Sequence, residues 1–141
     1  MKILVTGGNG QLGKSIKKIV NDKNFERRNI NFVFASREQL DLSQLISINN
    51  FFNKNLIDVI INCAAYTKVD QAESNQVKAN QINHLAVKEI AKIAKKKGIG
   101  LIHISTDFVF DGQKGSPYIE TDLTSPINVY GQTKLDGENA I

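Results

Sequence analysis

Tyr130 and Lys134 stand four residues apart in Tyr-Gly-Gln-Thr-Lys. At that spacing on a helix, a phenol and an ammonium share one face. A cation beside a phenol favours the phenolate and draws its pKa down from about 10. Such a pair can move a proton to or from a reacting oxygen near neutral pH. Tyr-x-x-x-Lys alone is common on helix surfaces. Its weight here comes from what precedes it.

The first constellation to precede it is a glycine loop. Thr6-Gly7-Gly8-Asn9-Gly10-Gln11-Leu12-Gly13 follows an apolar run at once and opens a helical pattern. Gly8, Gly10 and Gly13 satisfy G-x-G-x-x-G, while Gly7, Gly10 and Gly13 satisfy G-x-x-G-x-x-G. A pyrophosphate needs a tight turn, a backbone without Cβ atoms facing it, and a helix N-terminus aimed at its charge. Strand before and helix after make this a dinucleotide loop. An NAD-preferring site carries an acid at the end of its second strand. This chain reads Ala35-Ser36-Arg37 there. A hydroxyl and a guanidinium suit a 2′-phosphate, so the expected cofactor is NADP(H), with NADH the lesser fit.

The second is Ile104-Ser105-Thr106-Asp107, at the end of another apolar run. Ligands in doubly wound sheets bind at the carboxyl ends of strands. Thr106 is thus placed to hydrogen-bond a substrate carbonyl, Tyr130 to move its proton and Lys134 to hold the cofactor ribose.

Periodicity supplies the elements that must position these residues. Strands are expected at Lys2 to Thr6, Asn31 to Ala35, Asp58 to Asn62 and Leu101 to Ile104. Helices are expected at Gln11 to about Asn21, with Leu12, Ile16, Ile19 and Val20 on one face, and around Leu45 to Phe52. A longer helix is expected from Val77 to Lys97, and a last one from about Asn128, still running at Ile141. The strands are continuously apolar, as a parallel sheet covered on both faces requires. The expected fold is α/β, a doubly wound, Rossmann-like, all-parallel sheet in the order 3-2-1-4. Such a fold normally has six strands, so four mark it as partial. The fourth strand would then be an unpaired edge, which predicts self-association into a homo-oligomer.

Composition bounds the rest. The chain has 141 residues, 41% apolar and 23% charged, enough for one packed domain. No apolar run has the length of a membrane span, and the N-terminus does not read as a signal peptide, so the expected location is cytoplasmic. Net charge is +4, but only Arg27, Arg28 and Arg37 of the 18 basic residues are arginines, which argues against nucleic-acid readout. Lys92 and Lys95 to Lys97 read as a helix C-terminus complementing its dipole. Cys63, the single cysteine, reads as a buried core thiol. His84 and His103 are the only histidines; His103 reads as a satisfied core or edge residue, and no metal site is expected.

The glycine loop, Asn62-Cys63-Ala64-Ala65-Tyr66-Thr67, Ser105-Thr106-Asp107-Phe108-Val109-Phe110-Asp111-Gly112 and Tyr130 to Lys134 with Gly137-Glu138 together resemble the extended short-chain dehydrogenase/reductases. Within that family the likeness is to reductases of the 4-keto group of dTDP-linked deoxysugars. The resemblance implies that Gly7, Gly10, Gln11, Leu12 and Gly13 cradle the pyrophosphate, and that Asp41 and Leu42 flank the adenine. It implies that Ala64, Ala65, Tyr66 and Thr67 line the nicotinamide-side ribose. It assigns Thr106, Tyr130 and Lys134 as catalytic, with Asp107 where the sugar approaches and Asn83 supporting the proton relay. Residues 1–141 would be the cofactor-binding domain, incomplete and inactive alone, with the substrate domain beyond it. Two other readings share these motifs: an epimerase or dehydratase holding NAD, against which Arg37 counts, and a non-catalytic NADP-binding regulatory subunit like that of methionine adenosyltransferase.

Overall fold

The computed structural model describes residues 1–23 and 29–141. Its sheet has four parallel strands: β1 (Lys2–Thr6), β2 (Asn31–Phe34), β3 (Val59–Asn62) and β4 (Gly100–His103). The helices are α1 (Gln11–Lys23), α2 (Leu45–Lys54), α3 (Val69–Ser74), α4 (Gln76–Asn80), α5 (Ala86–Lys97) and α6 (Val129–Glu138). A π-helical turn, Gln81–Leu85, joins α4 to α5, and a 3-10 turn covers Asp107–Val109.

The sheet is parallel and doubly wound as expected, but the order is β2-β1-β3-β4. The third strand lies beside β1, not outside β2. Burial explains why. Leu4, Val5 and Ile60 are wholly buried, which suits β1 and β3 to the middle, whereas β2 residues are only half-buried or exposed. The β2–α2–β3 crossover therefore passes over β1 and reverses the direction of winding. That reversal puts a crevice above the carboxyl ends of β1 and β3, where open α/β sheets bind ligands.

The main core packs Leu4 and Ile60 against Ile48, Phe51 and Phe52 of α2 and Ile90, Ile93 and Ala94 of α5. A smaller cluster gathers Ala72, Ala79 and Tyr130, with Tyr66, Val69 and Val129 against it. α5 ends on Lys95, Lys96 and Lys97, as read from the sequence, and the Lys97 Nζ donates to the Phe52 carbonyl at 2.5 Å. Three readings need correction. The long helix is interrupted by the π turn. α1 leaves Leu12 and Ile19 exposed, so its apolar face is shallow. α6 stops at Glu138.

Candidate active site

The turn after β1 is built by what glycine lacks. Gly7 has φ +64°, and a Cβ there would sit 2.8 Å from the Ala64 nitrogen. A Cβ on Gly13 would lie 2.4 Å from the Gly7 carbonyl oxygen. The Gly10 N–H donates to that same oxygen at 2.8 Å and closes the turn. Of the two glycine spacings, the structure thus uses Gly7, Gly10 and Gly13. No acid stands in the first turn of α1 to compete for its N–H groups.

Beside the turn lies a cleft of about 230 Å³. Gly7, Gly10, Ser36, Arg37, Asp41, Leu42, Ala64 and Ala65 line it, all singled out in the sequence. Thr6, Asn9, Leu40, Ser43 and Ile82 line it too and were missed. Gln11 and Leu12 are exposed at the start of α1, and Gly13 is buried beneath the turn. Thr67 is exposed, while Tyr66 packs towards Tyr130. Cys63 is half-exposed rather than buried in the core; what burial it has raises its thiol pKa.

At the far end of the cleft the Arg37 Nε stands 3.5 Å from Asp41 Oδ1. Partial burial works to raise the Asp41 carboxyl. The Ser43 hydroxyl (2.7 Å), the Ser43 N–H (2.9 Å) and the Arg37 charge outweigh it and hold the pKa below the usual value. Asp41 thereby steers a guanidinium that is otherwise largely in solvent.

α6 is placed by its glycines and its cap. The Asn128 Oδ1 accepts the Gly131 N–H at 2.7 Å and starts the helix. A Cβ on Gly131 would be 2.2 Å from the Phe108 carbonyl oxygen, and one on Gly137 2.2 Å from that of Asn83. The helix therefore lies directly on the 3-10 turn and the π turn. Tyr130 is buried, edge-on to Phe108 with ring centroids 5.5 Å apart. Thr106 caps the 3-10 turn: its Oγ1 accepts the Phe108 N–H at 3.3 Å and donates to Asp107 Oδ1 at 3.2 Å. Asp107 is exposed at the rim.

Lys134 is buried at 1% exposure, and its Nζ donates to the Ile104 carbonyl at 2.6 Å. Burial lowers its pKa to about 8, while the Glu138 charge works to raise it. Glu138 in turn accepts from the Ser105 hydroxyl. Thr106, Tyr130 and Lys134 are thus brought to the carboxyl end of β4, as the sequence predicted. Asn83 is also fully buried, but as a clamp. Its Oδ1 accepts the Tyr66 N–H (2.8 Å), and its Nδ2 donates to the Tyr66 carbonyl (3.1 Å) and to Thr133 Oγ1 (3.1 Å). It ties the loop after β3 to α6.

His103 is a half-buried edge residue as read, and it also touches Lys134: Nε2 and Nζ are 3.3 Å apart. Burial, then the Lys134 charge, lower its pKa to about 4. The folded protein keeps this imidazole neutral, whereas the unfolded chain protonates it below about 6.5. Its contribution to stability is whole above about 6.5 and is lost as pH falls towards about 4. The urea midpoint of the wild type should fall across that window relative to His103→Gln, and parallel curves would contradict this.

Parallel sheet, winding reversal and glycine turn together define a Rossmann-like fold. The chain belongs to the RmlD substrate binding domain family, whose model matches residues 1–141. It is similar to a dTDP-4-dehydrorhamnose reductase of Burkholderia thailandensis, 43% identical over 141 residues, 100% of this chain and 45% of that protein. Among solved structures, a dTDP-4-dehydrorhamnose reductase ortholog of Clostridium acetobutylicum superposes with a TM-score of 0.91 at 41% identity, covering 99% of this chain and 48% of that one. The dTDP-4-dehydrorhamnose reductase of Bacillus anthracis, solved in complex with NADP, gives a TM-score of 0.89 at 34% identity, covering 99% and 48%. The chain spans about half the length of the relatives it matches. Among the described residues, no helix is long and apolar enough to cross a membrane.

Proposed function

We propose that residues 1–141 are the cofactor-binding part of an NADPH-dependent reductase acting on the 4-keto group of a dTDP-linked deoxysugar, dTDP-4-dehydrorhamnose, in the making of dTDP-rhamnose. The observation that carries this is the union of a glycine-built cleft at the winding reversal with Thr106, Tyr130 and Lys134 at the neighbouring strand end. The named relatives support it.

The residues present fit the dinucleotide: a Cβ at Gly7 or Gly13 would strike the backbone of Ala64 or of Gly7, so only glycine lets the turn draw the start of α1 up to the cleft that the pyrophosphate needs. Bound NADPH supplies the reducing equivalent. The backbone of Gly7 and Gly10 and the start of α1 hold the pyrophosphate. Ser36 and Arg37 take the 2′-phosphate. Lys134 has donors left for a ribose hydroxyl beyond the one on Ile104. Thr106 hydrogen-bonds the sugar carbonyl, Tyr130 delivers the proton to its oxygen, and Asp107 meets the sugar at the rim.

NADPH consumption by the full-length protein, dependent on the dTDP-4-keto sugar, tests this reading. Tight cofactor binding with no consumption would favour the non-catalytic regulatory role instead. Arg37→Ala tests the cofactor preference. Loss of one charge-assisted contact of roughly 1.5–3 kcal/mol weakens NADPH about ten- to a hundredfold. NADH, which has no 2′-phosphate, should bind almost as before. Equal loss for both, measured by equilibrium titration, would put Arg37 outside the site.

A further inference from the structure

Three neighbouring strands each end on a polar residue, and the register sets these side by side. Thr6 closes β1, Asn62 closes β3 and His103 closes β4, with Thr6 opposite Asn62 and Asn62 opposite His103. Their side chains form one hydrogen-bonded line. The Ala64 N–H donates to Thr6 Oγ1 at 3.2 Å, so the Thr6 hydroxyl proton is free for Asn62 Oδ1 at 2.5 Å. The Asn62 Nδ2 is left to donate to His103 Nδ1 at 3.0 Å. A neutral imidazole that accepts at Nδ1 carries its proton on Nε2. That N–H faces Lys134 Nζ at 3.3 Å. An ammonium has no lone pair to receive it, whereas an unprotonated amine has one and can still donate to the Ile104 carbonyl.

We propose that His103 is a positioning residue for Lys134: through the line from Thr6 and Asn62 it fixes the amine at the carboxyl end of β4 and eases loss of its proton. The proposal rests on the reading of Lys134 as part of the cofactor site. Thr6 also lines the cleft, so the line joins the cleft floor to the amine.

The surrounding charges agree. Burial lowers the Lys134 pKa to about 8, while the Glu138 carboxylate, on α6, pulls it back towards the ammonium. From β1 and β3, the neutral Thr6 and Asn62 make up the hydrogen-bonded line that reaches the pair. An amine titrating near 8 is close enough to working pH to take up and release a proton, which a lysine at about 10.4 is not.

The test is NMR on the intact protein labelled with ¹⁵N-histidine and ¹³C-lysine, which needs no turnover and so stands or falls apart from the proposed activity. In the wild type, His103 should hold the Nε2–H tautomer between about pH 5.5 and 7.5, instead of titrating at the usual value near 6.5. In His103→Gln, whose amide oxygen accepts from an ammonium, the Lys134 midpoint should rise by about one pH unit, a tenfold change in proton affinity. An Nδ1–H tautomer, an imidazolium at about pH 6, or an unmoved Lys134 midpoint would overturn the proposal. Should His103→Gln fail to fold, the wild-type tautomer decides alone.

Discussion

Tyr130→Phe should lower turnover of the full-length protein by about two to four orders of magnitude, the range carried by one positioned proton donor. The fold should not notice the change. Tyr130 is buried by its ring, edge-on to Phe108 and against Ala72 and Ala79, and phenylalanine keeps those contacts. Among the described residues, no hydrogen bond ties its hydroxyl to the protein, so removing the oxygen breaks no internal bond. Cofactor affinity should also hold, since the cleft is lined by the glycine turn, the loop after β2 and the end of β3. Steady-state kinetics with a parallel cofactor titration separates the effects. Unchanged turnover would remove Tyr130 from the chemistry.

Gly137→Ala should be comparably damaging from a position that touches no reactant. The added Cβ would stand 2.2 Å from the Asn83 carbonyl oxygen, a backbone atom that cannot swing aside. An ordinary contact requires α6 and the π turn to part by about 1 Å. Tyr130 and Lys134 ride on α6, and a misplacement of about 1 Å can lower a rate roughly a hundredfold. Gly131→Ala meets the Phe108 carbonyl oxygen at the same distance and should act the same way. Gly115→Ala is the control, because nothing lies within 4 Å of its added Cβ. Full activity in Gly137→Ala would mean that α6 is not held as described.

Much of this was legible in the sequence because the chemistry is local. A glycine turn must be contiguous, and Tyr130 and Lys134 lie four residues apart on one helix, so local spacing and the order of the motifs along the chain announce both. β1 was readable to the residue, Lys2–Thr6, since an apolar run ended by a glycine has sharp bounds. What escaped was non-local. Periodicity shows that Val59–Asn62 is a strand but not on which side of β1 it lies. α3, at six residues, is too short to show a period. The resemblance points to Asn83, but that its amide clamps Tyr66 to Thr133 shows only when the loop after β3 and α6 fold against it. The line from Thr6 to His103 did leave a trace, a polar residue closing each of three apolar strands, but only the register shows that they meet.

Where the reducing equivalent goes tests the proposed reduction most directly. The full-length protein should be given dTDP-4-dehydrorhamnose and NADPH deuterated at the transferring position of its nicotinamide. Deuterium should be recovered at C4 of the sugar, with one cofactor consumed per sugar reduced, and Tyr130→Phe should suppress that transfer. A sugar returned without deuterium at C4 and with no net cofactor consumed, while cofactor stays bound, would contradict the account.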